Sequence, residues 1–452
     1  MENAGIPSSV LQKYKSSFEA DPKNKLAQNV VTKQDFLEAC YKHRQDEIGS
    51  CVSHKVPDVK PVSNQKASGR CWLFALLNVM RQPFMAQQTI DEFEFSQNYL
   101  YFWDKLERCN YLLDVLTQVA KKGEPVDGRL VQHLLTNPSE DGGQWDMLVN
   151  LVEKHGVIPK SCWREAHSAE NSRRMNGLIN DKMREFCQQI FKLVKTGSSD
   201  DALKETREKM METIYRIVSI CLGSPPETFT WEYYDKEKKY HKVGPITPRE
   251  FYKQLVKPVF NMEDKVCIVN DPRTQNPYNE MYTVEYLGNM LGGNLTLYLN
   301  QPIENLKTFA ADAIKQNEAV WFGCDVGKFF CLQTGIQDLD SFDYELVFGT
   351  TVGNQSKADR LIYGQSLMTH AMVLTGVTLE EDDISKSRRW RVENSWGDEK
   401  GDKGYLVMAD NWFNEYVYEV VVDKKHIPAE ILDILKKKAR MLPAWDPMGA
   451  LA

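Results

Sequence analysis

Residues Gln65–Met80 read QKASGRCWLFALLNVM. From Cys71 onward, apolar residues fall on nearly every side of a 3.6-residue period, the pattern of a helix buried all round. A Gly-Arg pair leads into the run, so the Cys71 thiol stands at a helix N-terminus, where the backbone dipole and nearby cations favour a thiolate. Arg70 adds a positive charge beside it. A cysteine on such a helix, taken alone, reads as a small core residue. The other parts of a thiol catalyst decide between the two readings.

Nucleophilic thiol catalysis needs a base or ion-pair partner, a group that orients the base, and donors for a developing oxyanion. Gln65 lies six residues before Cys71 (71 − 65), near enough in chain to bring a side-chain amide to the thiol. His370 opens a β-type run in MTHAMVLTG, and Asn394 sits in VENSWG on the next strand-like segment. Neighbouring antiparallel strands can bring that ring and that amide together. Singly, His370 reads as a hydrogen-bonded strand histidine, Asn394 as a turn residue and Trp396 as a core aromatic. Jointly they supply every part of the catalyst.

The bulk of the chain narrows the alternatives. With 452 residues, 42% of them hydrophobic, it has material for about two to three domain-sized units. A net charge of −7 gives no general attraction to nucleic acid or anionic lipid. The first residues carry no signal-peptide core, and no apolar run is long enough to span a membrane. The ten cysteines form no C-x-x-C pair, which argues against a zinc site or a redox dithiol. A reducing, cytoplasmic setting is expected. The sequon at Asn294 carries no weight without secretion.

Along the chain, residues 1–55 predict two short helices with Ser8 or Ser9 as a cap, and Pro57–Asn64 is extended. A second helix is expected over Asp91–Cys109. A Gly-Gly turn at Gly142 and Gly143 precedes a helix that stops at Gly156. Met175, Leu178, Ile179, Met183 and Phe186 recur at helical steps, and after TGSSDD a partner helix runs to Gly223 and Pro225-Pro226. Phe229, Trp231 and Tyr233 alternate around a charged turn, a hairpin signature. Thr247–Glu250 is a capping box with proline at the first helical position. After about residue 265, short β-type runs dominate, followed by a helix in PAEILDILKKKA and the aperiodic tail LPAWDPMGALA.

QKASGRCW resembles the catalytic segment of papain-like cysteine peptidases, with Gln, a five-residue spacer and Cys-Trp. EFSQNYL, DGG, AVWFGCDV, HAMVL, VENSWG and KGYLVM resemble later segments of that family, in its order. The resemblance implies an α+β, two-lobed papain-like fold with a helical lobe and a β-barrel-like lobe. It makes Cys71, His370 and Asn394 the catalytic residues, Gln65 the oxyanion donor with the Cys71 N–H, Trp396 a shield, and Gly142 and Gly143 substrate-binding backbone. No metal and no cofactor are implied. Position 68 is Ser where secreted members have Cys, and position 70 is Arg where they have Ser or Ala. His370 lies 299 residues after Cys71 (370 − 71), against roughly 130–150 in the papain pattern.

That excess falls mainly in a helical and β-hairpin insertion. With the insertion and the tail, the chain is similar to the bleomycin hydrolase family. The expected organisation is an N-terminal helical segment 1–55, a helical lobe 56–164, an insertion 165–265, a β lobe 266–435 and a C-terminal arm 436–452. The resemblance implies aminopeptidase activity on peptides and amides with a free N-terminus, and hydrolysis of the amide of bleomycin. It further implies an association with homocysteine thiolactone hydrolysis, and a homohexameric barrel with no membrane contact. The arm would lie in the cleft, with Ala452 able to meet the substrate's ammonium group. Two rivals remain. One is another Cys-His acyl transferase, whose histidine would be oriented by Asp rather than Asn. The other is a nucleic-acid-binding protein using Lys236–Lys242 and Lys436–Arg440.

Overall fold

The all-round apolar run becomes a helix, Cys71–Gln88, that ends where Thr89 turns left-handed (φ 55°). Leu73, Phe74, Leu76, Leu77, Met80 and Phe84 are all buried, each worth about 1.5–3 kcal/mol of burial. The computed structural model describes residues 5–43, 49–380 and 386–452. The next long helix is Gln97–Lys121, started by Ser96, whose hydroxyl accepts from the Tyr99 N–H at 3.2 Å. The helix expected from Asp91 therefore starts later and runs further. Phe93 and Phe95 lie before it and stack around Phe84.

The expected helical hairpin is Arg173–Lys195 and Asp200–Leu222, the second capped by the Ser199 hydroxyl. Strands Phe229–Tyr234 and Tyr240–Ile246 follow. Trp231 packs against Phe84, Phe93 and Phe251. The insertion thus shares one continuous hydrophobic core with the helix that carries Cys71. In the N-terminal segment three helices form where two were expected, at Ser8–Ala20, Pro22–Val31 and Phe36–Cys40. Pro7, not a serine, precedes the first, with no side-chain cap. Residues 1–4 and 44–48 of that segment lie outside the described residues.

Beyond residue 265 the β-type runs join one mixed sheet. Its order is Arg440–Leu442, Glu280–Val284, Tyr298–Asn300, Lys265–Val269, Val417–Asp423, Val320–Cys324, His370–Leu379, Ser387–Glu393, Tyr405–Ala409, Ile336–Gln337 and Phe330–Cys331. His54–Lys55 adds on beside His370–Leu379. The helix expected over PAEILDILKKKA is a single turn, Ala429–Leu432, continued by a 3-10 turn. The tail is partly ordered as a strand, Arg440–Leu442 pairing parallel with Glu280–Val284. No described helix is long and apolar enough to cross a membrane.

The two lobes meet where Cys71–Gln88 packs on the strand His370–Leu379. A buried ion pair locks that meeting. Arg81, on the helix, donates to Glu393 at 3.0 Å and to the carbonyls of Pro61 and Phe93, and neither Arg81 nor Glu393 sees solvent. Glu393 is the neighbour of Asn394, so the pair fixes the orienting amide relative to the thiol helix. Removing one partner strands a buried charge. Arg81→Ala should lower unfolding free energy by about 3–5 kcal/mol, read by urea unfolding followed by tryptophan fluorescence; a loss within measurement error would contradict the assignment.

Candidate active site

Cys71 is the first residue of its helix and His370 the first of its strand. Both are buried, and the thiol lies against the backbone of Ala371, the residue after His370. Burial pushes the Cys71 thiol up to about 11, opposed by backbone hydrogen bonding from Ala371, Trp72 and Cys71 itself. Burial likewise drives the His370 ring down to about 4, opposed by its bond to Asn394. Moving the proton from thiol to ring creates two opposite charges in one buried site, and their attraction opposes the cost of burying each.

His370 Nε2 meets Asn394 Oδ1 at 2.9 Å. A carboxamide oxygen only accepts, so Nε2 carries hydrogen and Nδ1 is left as the base. Asn394 Oδ1 also accepts from the Ser395 N–H at 2.8 Å, which fixes the amide's orientation. The Ser395 hydroxyl donates to Gln65 Oε1 at 2.6 Å, and the Gln65 N–H donates to the Ser395 carbonyl. One stretch of chain therefore positions the orienting amide and the candidate oxyanion donor together. Gln65 Nε2 gives one hydrogen to the Ser68 carbonyl at 2.6 Å; an amide NH2 has a second. The Trp396 ring lies 4.8 Å from the His370 ring, tilted 34° to it.

The Gly142-Gly143 segment forms the wall beside the thiol. A Cβ on Gly143 would fall 2.5 Å from the Trp72 ring, and one on Gly142 would fall 2.6 Å from the Ala452 carbonyl. Only glycine admits both approaches. The tail uses this wall: Gly143 and Ala452 exchange backbone hydrogen bonds at 3.2 and 3.3 Å, and Gln144 Nε2 donates to the Ala450 carbonyl at 2.5 Å. Residues 450–452 thus lie along the wall as an added extended strand would.

Asp141, just before the wall, was silent in the sequence reading beyond its place in the DGG run. It accepts from Tyr101 and Asn176 at 2.6 Å each, from Ser172 at 2.5 Å and from the Gly69 N–H at 3.2 Å, and it pairs with Lys105 at 2.7 Å. Its carbonyl accepts from the Trp72 indole. Burial alone would raise this carboxyl; the charge of Lys105 and hydrogen bonds from Lys105, Ser172 and Tyr101 outweigh that and hold it well below the usual range. Arg70 does not act as a free cation beside the thiol. It turns inward to Glu165 at 2.8 Å and lies against the rings of Phe74 and Tyr101.

The structure brings Gln65, Cys71, Gly142, Gly143, His370, Asn394, Trp396 and Ala452 into this one region. Ser395, Ala371 and Asp141 join them without a sequence signal of their own, apart from adjacency to a motif residue. The side chain that meets the His370 ring is the Asn394 amide. Among the described residues no group of three or more His, Cys, Asp or Glu side chains is placed to hold a metal ion. The arrangement is built for acyl transfer through a thiol.

Comparison with known proteins agrees. The model of the peptidase C1-like family matches residues 5–449. Bleomycin hydrolase of Rattus norvegicus is 57% identical over 454 residues, covering the whole of both chains. Aminopeptidase C of Listeria innocua is 42% identical, covering 88% of each. Among solved structures, PepW of Lactobacillus rhamnosis superposes with a TM-score of 0.94 at 42% identity, over 99% of this chain and 100% of that one.

Asp141→Asn leaves Lys105 without its buried counter-charge and should cost about 3–5 kcal/mol at neutral pH. A depressed carboxyl stabilises above its unfolded pKa and loses that contribution as pH falls toward the folded value. The gap between wild type and variant should therefore narrow in acid unfolding titrations. A gap that widens in acid would contradict the role given to Asp141.

Proposed function

Since the chain belongs to the peptidase C1-like family, we propose that it works as a thiol aminopeptidase in which Cys71 is the nucleophile, His370 the proton carrier and Asn394 the group that orients the ring. His370 Nδ1 takes the Cys71 thiol proton, and the sulfur bonds to the substrate carbonyl carbon as the carbonyl becomes an oxyanion held by the Cys71 N–H and Gln65 Nε2. His370 gives its Nδ1 proton to the leaving amine, the C–N bond breaks, and an acyl-thioester remains. Water then loses a proton to Nδ1, its oxygen bonds to the acyl carbon, the C–S bond breaks, and the acid leaves. Trp396 keeps bulk water off the His–Asn contact.

The observation that carries the exopeptidase reading is the backbone pairing of Ala452 with Gly143. A tail in that position occupies one direction of the groove, so a substrate enters with its N-terminus first. Gly142 and Gly143 are then the wall, and Ala452 the stop against which the substrate's ammonium group rests. The substrate class is peptides and small amides with a free N-terminus. The relatives' names extend it to the amide of bleomycin, and the same acyl chemistry would open homocysteine thiolactone.

With that function go a cytoplasmic setting, supported by the free thiols of all ten cysteines, and a homohexamer. The assembly is supported by apolar side chains that the insertion leaves exposed, among them Tyr215, Ile220, Tyr234 and Tyr240. The nucleic-acid reading is weaker. Several of its basic side chains sit beside carboxylates: Lys236 by Asp91, Lys242 by Glu232, Lys436 by Asp433, and Lys437 and Arg440 by Glu280.

Cys71→Ser and His370→Ala should each abolish turnover of aminoacyl fluorogenic amides without changing the circular dichroism spectrum, and Gln65→Ala should lower kcat about 10²–10³-fold. Full activity in Cys71→Ser would overturn the assignment. Deleting residues 450–452 should raise cleavage of N-acetylated peptides relative to free ones; an unchanged preference would remove the tail from the account.

A further inference from the structure

The chain that leads into the tail residues on the Gly143 wall carries a buried ionic contact. Arg273 lies in the loop after the strand Lys265–Val269, with only 5% of its side chain exposed. On one side its guanidinium grips Asp271, through Nε at 2.9 Å and Nη2 at 2.8 Å. On the other it grips Asp446 of the tail, through Nη2 at 2.7 Å and Nη1 at 3.2 Å. Asp446 has 9% of its side chain exposed.

The receptor half of this contact is built without the tail. Asn276 donates to Asp271 at 2.7 Å, Asn300 accepts from the Asp271 N–H at 2.9 Å, and the Asn300 amide donates to the Asp271 and Asn276 carbonyls. Asp271 is thereby fixed, and it aims the guanidinium. A planar fork between two carboxylates reads position and angle as well as charge. The tail half is equally shaped. Asp446 caps the 3-10 turn Pro447–Gly449, accepting from the Met448 N–H at 2.9 Å. That turn brings Met448 to a small cavity that it lines together with Tyr298, Leu361, Met368 and Tyr418.

Upstream of Asp446 the tail is committed to the sheet through Arg440–Leu442. Downstream it is held by Met448, the Gln144 bond, the Gly143 pairing and the packing of Leu451 and Ala452 against the core. The clasp stands at the boundary, so it sets where residues 449–452 emerge over the wall. We propose that Arg273, by clasping Asp446, is the specificity-determining residue that keeps the tail in the groove and thereby restricts the enzyme to substrates with a free N-terminus. This rests on the exopeptidase reading above. Arg273 touches no reacting atom; it is a positioning residue, and loosening it changes which substrates enter rather than how the bond breaks.

The test compares Asp446→Asn, Arg273→Gln and Arg273→Lys with wild type and with the chain lacking residues 450–452. Asparagine keeps the helical-turn cap and removes the charge, so Asp446→Asn isolates the clasp from folding. The readout is the ratio of kcat/KM for an N-acetylated peptide amide to that for its free-amine counterpart, with Cys71 titrated by iodoacetamide to count active sites. Asp446→Asn and Arg273→Gln should raise the ratio about tenfold or more, with an unaltered number of titratable sites. Arg273→Lys, a point charge unable to fork between two carboxylates, should fall between. If both charge-removing variants keep the wild-type ratio while the truncated chain relaxes, the clasp is overturned and the exopeptidase reading stands. If the truncated chain also keeps the wild-type ratio, the exopeptidase reading itself fails.

Discussion

The Asp141 carboxylate is the constraint from which the site is built. It is buried, ionised, and hydrogen-bonded to side chains from the second long helix and the insertion and to the backbone of Gly69. Taking such a charge out of water is affordable only when its oxygens are fully partnered. The partners have to come from segments far apart in sequence, and satisfying the carboxylate forces those segments together. What results is a fixed relation between the loop that delivers Cys71, the Trp72 ring and the glycine wall. The insertion is part of this arrangement because Ser172 and Asn176 stand at its start.

The second lobe is registered to the first by similar means. Arg81 holds Glu393, and the next residue, Asn394, holds the ring of His370. Ser395 then reaches back to Gln65. The proposed base, orienting amide and oxyanion donor are thus linked across the two lobes by a short run of hydrogen bonds. Hydrophobic burial supplies most of the stability on both sides of the cleft, yet it is not directional. The buried polar contacts set the angles on which proton transfer depends.

Much of this was legible in the sequence. The Cys71 helix declares itself by apolar residues on all sides, and the insertion hairpin by its periodicity and the TGSSDD break between its helices. The catalytic set is legible because Gln65, Cys71, His370 and Asn394 each sit in a distinctive short motif. The start of the second long helix was misplaced because Phe93 and Phe95 mimic a helical face while serving the aromatic cluster; the cap at Ser96 settled it. Arg70 looked like a cation for the thiol, since nothing in the chain marks Glu165 as its partner. The Arg273–Asp446 clasp was silent for the same reason. Single arginines and aspartates in loops ordinarily face water, and their pairing across the chain is a property of the folded state alone.

The central claim joins a reactive Cys71 to a groove closed by the tail. The most direct measurement is the second-order rate at which the full chain reacts with an aminoacyl electrophile, free or N-acetylated, with the modified residue located by mass spectrometry. The account predicts a single adduct on Cys71 and much faster reaction with the free-amine reagent. Equal rates for the two reagents, or an adduct on another cysteine, would contradict it.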